Sequence, residues 1–181
     1  MLVETVDSHS AHDAFGRHRV SEPHTIFDSK QIFDNAPLFF DDQEVSGSGT
    51  TSSYDQDSAR TRIGVAATTA GKRVRQTFMR FNYQPGKSQL VLMTGIMSGA
   101  GTGITAAMGA FDDDNGIFAE MNNGVLNFVI RSNVTGTPVD TTVAQSAFNG
   151  DKLDGTGESG VTLDPTTTQI LWFDYEWLGV G

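Results

Sequence analysis

The chain has 181 residues, of which 38% are hydrophobic and 19% charged, with a net charge of −10, 20 glycines, four histidines and no cysteine. That length suits one domain, or a domain with an arm, and supports a core without disulfides or metals. The acidic balance disfavours a surface that tracks nucleic-acid phosphates, and the lack of cysteine excludes a disulfide framework. No apolar run approaches the roughly 20 residues a membrane helix needs. The start Met1-Leu2-Val3-Glu4 lacks the basic and apolar segments of a secretion signal, which predicts a chain kept in a cytoplasm until it is assembled or released.

Residues 1 to about 12 mix charge, serine and histidine with neither helical nor strand period, the pattern of a terminus ordered by a partner. The next segment, through Phe15, Arg17, Arg19 and Phe27 to Phe33, sets isolated apolar residues among charges and is expected to be extended and adhesive. Asp41 to Val45 forms a first strand, so residues 1–45 are expected to be an arm plus that strand. Residues 46–53, all glycine, serine and threonine, are expected to be a loop or hinge. From Tyr54 onward, short runs of β-formers alternate with turns, which predicts an all-β antiparallel sandwich over 54–181.

The predicted strands are Arg60 to Ala66, Arg73 to Asn82, Gln89 to Ser98, Ile104 to Phe111, Ile117 to Met121, Val125 to Ser132, Val139 to Gln145 and Gln169 to Leu178. Asn115-Gly116 and Asn123-Gly124 each suit a tight hairpin with positive φ, so Ile104 to Ser132 is expected to be a three-stranded meander. Pro85-Gly86 occupies the two central positions of a type II turn, and is expected to join Arg73–Asn82 to Gln89–Ser98 as a second hairpin. In the last strand Leu171, Phe173, Tyr175 and Trp177 fall on one face and Ile170, Trp172, Asp174 and Glu176 on the other. Asp151 to Thr162 reads as a glycine-rich loop. The end at Gly181, directly after a strong β run, suggests that the native chain continues or that a neighbour adds a strand at this edge.

Few residues point to chemistry. All four histidines, His9, His12, His18 and His24, lie in the first two dozen residues, so the body lacks the side chains most used for nucleophilic, general-base and transition-metal work. No catalytic residue, metal ligand or cofactor is expected. Asp112-Asp113-Asp114-Asn115-Gly116 invites a calcium reading, but its spacing does not fit an EF-hand and hairpin turns favour the same residues. Gly99-Ala100-Gly101-Thr102-Gly103 resembles a phosphate cradle without the Lys-Ser/Thr or the helix that a cradle needs. Arg60, Arg62, Lys72, Arg73, Arg75, Arg80 and Lys87 concentrate positive charge on an acidic chain. Cross-strand pairing explains the individual residues, and docking onto an acidic subunit is the functional alternative. Trp172 beside Asp174 and Glu176 could stack a sugar ring, although packing beneath a loop explains it too. The same carboxylates could form a glycan-cleaving acid pair only if their separation spanned a glycosidic bond.

The strings Ala14-Phe15-Gly16-Arg17-His18-Arg19-Val20-Ser21-Glu22-Pro23, Phe27-Asp28-Ser29-Lys30-Gln31, Arg73-Val74-Arg75-Gln76-Thr77 and Phe81-Asn82-Tyr83-Gln84-Pro85-Gly86-Lys87-Ser88 resemble a family of virion structural proteins of tailed bacteriophages, many of them marine or cyanobacterial. Leu153-Asp154-Gly155-Thr156-Gly157 and Phe173-Asp174-Tyr175-Glu176-Trp177-Leu178-Gly179-Val180-Gly181 fit the same pattern, so the resemblance spans almost everything after the first dozen residues. It implies a non-enzymatic particle component, a capsid decoration or a tail or fibre part, with a jelly-roll or lectin-like sandwich. Phe15, Arg17, Arg19 and Phe27 would clasp other virion proteins, and a homo-oligomer is expected because a particle imposes symmetry. The alternative is a carbohydrate-binding adhesion module that contacts host glycans through Trp172 and Asp174.

Overall fold

A computed structural model describes residues 24–97 and 101–176. Among the described residues ten strands follow one another: β1 (Phe40–Ser46), β2 (Thr50–Asp55), β3 (Arg60–Val65), β4 (Lys72–Thr77), β5 (Ser88–Gly95), β6 (Thr105–Phe111), β7 (Gly116–Asn122), β8 (Val125–Ser132), β9 (Val139–Ala144) and β10 (Gln169–Glu176). All pairings are antiparallel. The described chain is therefore all-β, in an arrangement compatible with a sandwich, with one 3-10 turn at Gln145–Ala147. It divides between Lys87 and Ser88 into two compact units, where the sequence suggested one sandwich from residue 54.

The first unit, residues 24–87 as described, consists of two ribbons, β1–β4 and β2–β3. Strand β2 begins inside the segment expected to be a loop, which shrinks to Gly47-Ser48-Gly49. Threonine and serine are good enough strand residues when their backbone finds a partner, and Thr50 to Ser53 pair with Val65 to Arg62. The corner needs its glycines: Gly47 has φ +70°, and a Cβ there would lie 1.6 Å from the Ala70 carbonyl oxygen. Glu44 Oε2 spans the corner by accepting from the Thr50 amide at 3.0 Å and the Thr50 hydroxyl at 2.5 Å.

The second unit, residues 88–97 and 101–176 as described, contains a four-stranded sheet in the order β6-β7-β8-β9 and the ribbon β5–β10. The expected meander is present and β9 extends it. Asn123 (φ +49°) and Gly124 (φ +82°) form the two-residue β7–β8 turn. The β6–β7 connection is wider than expected, because Phe111 pairs with Gly116 and leaves a four-residue loop in which Asn115 has no positive φ.

The second expected hairpin does not form. Gln84-Pro85-Gly86-Lys87 does make its turn, with Gly86 at φ +80° and the Lys87 amide donating to the Gln84 carbonyl at 3.1 Å. Yet β4 ends at Thr77 and pairs with β1, while β5 pairs with β10. The turn marks the boundary between units, since a local bend cannot by itself choose strand partners.

Among the described residues the buried core lies in the second unit. Ala119 and Met121 of β7 and Leu126 of β8 share one sheet face and are buried with Phe173 of β10 and with Met97; Val91 and Leu171 pack beside them. On the opposite face Phe118 (1% exposed) and Val129 (2%) are buried, with the Phe111 ring 4.3 Å from Phe118 and the Arg131 guanidinium 5.2 Å above it. Each buried phenylalanine contributes roughly 2–3 kcal/mol. In the last strand Phe173 is inside and Ile170 and Trp172 are exposed, as the alternation gives, whereas Asp174 and Glu176 on the second face are half-buried, and Trp177 lies outside the described residues.

Candidate functional site

The second unit holds a groove of about 370 Å³, lined mainly by Ile117, Phe128, Ile130, Val143, Trp172 and Asp174. Phe128 and Ile130 of β8 and Val143 of β9 are 40%, 58% and 41% exposed there. Phe128 packs edge-on to Phe173, with ring centres 6.3 Å apart, and lies 5.0 Å from Phe148. Thr141 and Asp174 are the polar residues of an otherwise apolar lining. Such a groove can hold a flat apolar or sugar-ring surface against an aromatic side chain.

The structure thus brings Trp172 and Asp174 to one groove, while Glu176 stands beside Asp174 on the same face of β10, at the end opposite Ser88. Trp172 is exposed enough for stacking. Sequence reading missed Phe128, Ile130 and Val143, whose pattern is that of any core-facing strand and carries no sign of their exposure.

The glycine-rich loop after β9 is self-organised. Asp151 accepts hydrogen bonds from the amides of Leu153 and Ser159, both at 2.7 Å, and Gly157 lies so close that a Cβ would fall 2.1 Å from Asp151 Oδ1. Hydrogen bonding from Ser159 and from the Leu153 amide holds the Asp151 carboxyl below its usual range. Leu163 and Phe148 anchor the two ends of this segment on the core.

The acidic turn is occupied by its own backbone. Asp112 Oδ1 accepts from the amides of Asp114 (2.9 Å) and Asn115 (2.8 Å), Asn115 Oδ1 from the Asn133 amide (3.0 Å), and Asp114 Oδ1 from Asn133 Nδ2 (2.9 Å). Among the described residues, no three His, Cys, Asp or Glu side chains stand together to hold a metal ion. In the glycine-rich segment before β6, residues 98–100 lie outside the described residues, and Gly103 donates its amide to Asn123 Oδ1 at 2.6 Å.

The basic concentration resolves into ion pairs. Asp42 on β1 receives Arg73 Nε at 2.7 Å, Arg75 Nη1 at 3.4 Å and the Ser52 hydroxyl at 2.5 Å. Arg75 also donates to the Asn35 carbonyl and lies 4.3 Å above the Phe40 ring. Its side chain is 7% exposed, so a charged group of β4 is sheltered where a solvated one would be the rule. Burial raises the Asp42 pKa, but the Ser52 and Arg73 hydrogen bonds and the two guanidinium charges outweigh it and leave the carboxyl below its usual range. Arg62 and Arg60 converge on Asp55, at 2.7 and 3.6 Å. The Ser58 and Arg62 hydrogen bonds depress that carboxyl strongly.

Of the expected clasping residues, Phe15, Arg17 and Arg19 lie outside the described residues. Phe27 is half-buried amid phenylalanines of its own unit, with ring centres 6.0 Å from Phe39, 6.1 Å from Phe40 and 5.5 Å from Phe81. Around this cluster Ile26, Leu38, Phe39, Phe78, Met79 and Phe81 are 40–88% exposed. No protein-family model, curated protein or solved structure matches the chain.

Proposed function

We propose that the protein is a non-enzymatic structural component of a tailed-bacteriophage virion, either a capsid decoration or part of the tail or a fibre, held to other virion proteins through its N-terminal arm. The observation that carries this reading is the near-full-length sequence resemblance from Ala14 to Gly181. The molecule's character supports it: charged residues near the arm are engaged in ion pairs, and the conspicuous free surface is apolar, as suits assembly more than turnover. A jelly-roll or lectin-like form of the sandwich belongs to the same reading. Phe15, Arg17 and Arg19 are the arm residues assigned to the clasp. Phe27, assigned to the same clasp, lies in the first unit with its ring against three others. Cryo-electron microscopy of intact particles tests the proposal by locating the chain on the capsid lattice or in the tail. Removal of residues 1–33 is expected to abolish incorporation, and normal incorporation of the truncated chain overturns the arm's role.

A second reading, host-glycan adhesion, is favoured by the exposed Trp172 ring beside Asp174 in the groove. Specific glycan-array binding that is lost in Trp172→Ala supports it, and a blank array removes it.

A further inference from the structure

Three Asn-Gly steps occur in the chain: Asn115-Gly116, Asn123-Gly124 and Asn149-Gly150. Such a step carries a reaction of its own. The glycine amide nitrogen attacks the side-chain carbonyl carbon of the asparagine, because no following side chain hinders its approach. The new C–N bond closes a five-membered succinimide, and the side-chain NH2 leaves with the glycine amide proton as ammonia. Water then opens the ring at either carbonyl and yields aspartate or isoaspartate, with no oxidant, reductant or enzyme consumed. The attack requires the asparagine to turn about ψ and χ1 until the nitrogen faces that carbon, so the fold decides which step reacts.

All three asparagines are exposed, and solvent access therefore does not separate them. Asn123 sits at φ +49° in the β7–β8 turn, where its Oδ1 accepts from the Gly103 amide at 2.6 Å and its Nδ2 donates to Asn122 Oδ1 at 2.6 Å. Turning it dismantles the hairpin and both bonds. Asn115 Oδ1 accepts from the Asn133 amide at 3.0 Å and its carbonyl from the Asp112 amide at 2.9 Å, while Gly116 is held in β7 between Phe111 and Arg131. Turning Asn115 pulls the first residue of β7 out of two ladders. Asn149 instead lies in a bend outside every strand, just after the 3-10 turn Gln145–Ala147, and a Cβ at Gly150 would meet no atom within 4 Å. There the rotation opens no ladder and the ring has room to form.

We infer that Asn149 is a site of spontaneous deamidation selected by the fold, and that its conversion loosens the loop it introduces. The inference is independent of the virion role. Isoaspartate routes the main chain through the side-chain carbon and so adds one backbone atom between Phe148 and Gly150; either product adds a negative charge to a chain already at −10. Both changes fall between two fixed points. Phe148 packs on the core with its ring 5.0 Å from Phe128 of the groove, and Asp151 gathers the amides of Leu153 and Ser159, both at 2.7 Å. A longer main chain and a like charge two residues from Asp151 work against that arrangement.

Ageing of the full chain at neutral pH tests the inference, read by peptide mass mapping with fragmentation that separates aspartate from isoaspartate. In the folded chain Asn149 is expected to convert at least tenfold faster than Asn115 or Asn123, and in concentrated urea the three rates are expected to converge. Gly150→Val sets a β-branched side chain into open space and is expected to slow conversion at Asn149 at least tenfold, with the other two sites unchanged. Conversion at Asn115 or Asn123 as fast as at Asn149 in the folded chain overturns the inference, as does a tenfold spread that persists in urea. The converted fraction, separated by ion exchange, is expected to be cleaved between residues 152 and 162 severalfold faster than fresh protein; equal cleavage overturns the effect on the loop.

Discussion

Replacing Asp42 by Asn removes one negative charge from between two arginines and leaves the backbone and side-chain volume unchanged. Arg75 is then held at 7% exposure with no counter-charge, and Arg73, at 17%, loses its closest acceptor as an anion. Removing one partner of a fully buried pair costs 3–5 kcal/mol and an exposed pair is worth at most about 1. Asp42, 12% exposed, lies between these limits, and Asn retains some hydrogen bonding, so the expected loss is about 2 kcal/mol, or about 30-fold in an opening equilibrium. Amide hydrogen exchange measures it strand by strand: Asp42 to Ser46 and Lys72 to Thr77 should exchange about 30-fold faster than in wild type, with β7 and β8 unchanged. The pH dependence has a definite sign. The folded pKa of Asp42 lies below its unfolded value, so its contribution is complete above the unfolded pKa near 3.9 and is lost as pH falls through the folded one. The difference between variant and wild type, corrected for intrinsic exchange, should therefore shrink below about pH 4. A change of less than threefold at neutral pH would refute the structural role of this cluster and return Arg73 and Arg75 to the docking interpretation.

Phe118→Ala, at a side chain 1% exposed, is expected to destabilise the second unit by about 3–5 kcal/mol in urea unfolding followed by tryptophan fluorescence, whereas Ile170→Ala, at 71% exposure, should change it by less than about 0.5. Gly124→Ala forces a side chain into φ +82° and should cost about 1 kcal/mol in the same assay; Asn123→Gly should be nearly neutral. Asp151→Ala removes the acceptor that gathers the Leu153 and Ser159 amides, and limited proteolysis between residues 152 and 162 should accelerate severalfold without a change in the meander's protection.

Legibility in the sequence followed the range of each signal. The β7–β8 turn was readable because Asn123-Gly124 specifies it within two residues, and the strand limits of β8 follow directly from its flanking turns. Strand partnership was not readable. Pro85-Gly86 announces a reversal in the same local terms, but β4 and β5 have partners far off in the chain, and no two-residue signal encodes that. The sheltering of Arg73 and Arg75 was not readable either, because it depends on Asp42, three strands away in sequence order, whose carboxylate makes that face habitable for them. Trp172 is exposed, as the alternation of β10 gives, but Asp174 beside it is half-buried, and the groove they share with Phe128, Ile130 and Val143 joins residues far apart in the chain, which no local pattern encodes.

The β5–β10 ribbon has a consequence for the order of events on the ribosome. Ser88 pairs with Glu176 and Gly95 with Gln169, so β5 emerges early and its partner is made after every other strand of the unit. The meander can assemble within its own short span, but β5 must wait with its hydrogen-bonding edge unfilled while the intervening chain is translated. A nascent chain paused before Gln169 is thus the species most exposed to mispairing, and slow codons in that interval would harm yield more than slow codons in the first unit.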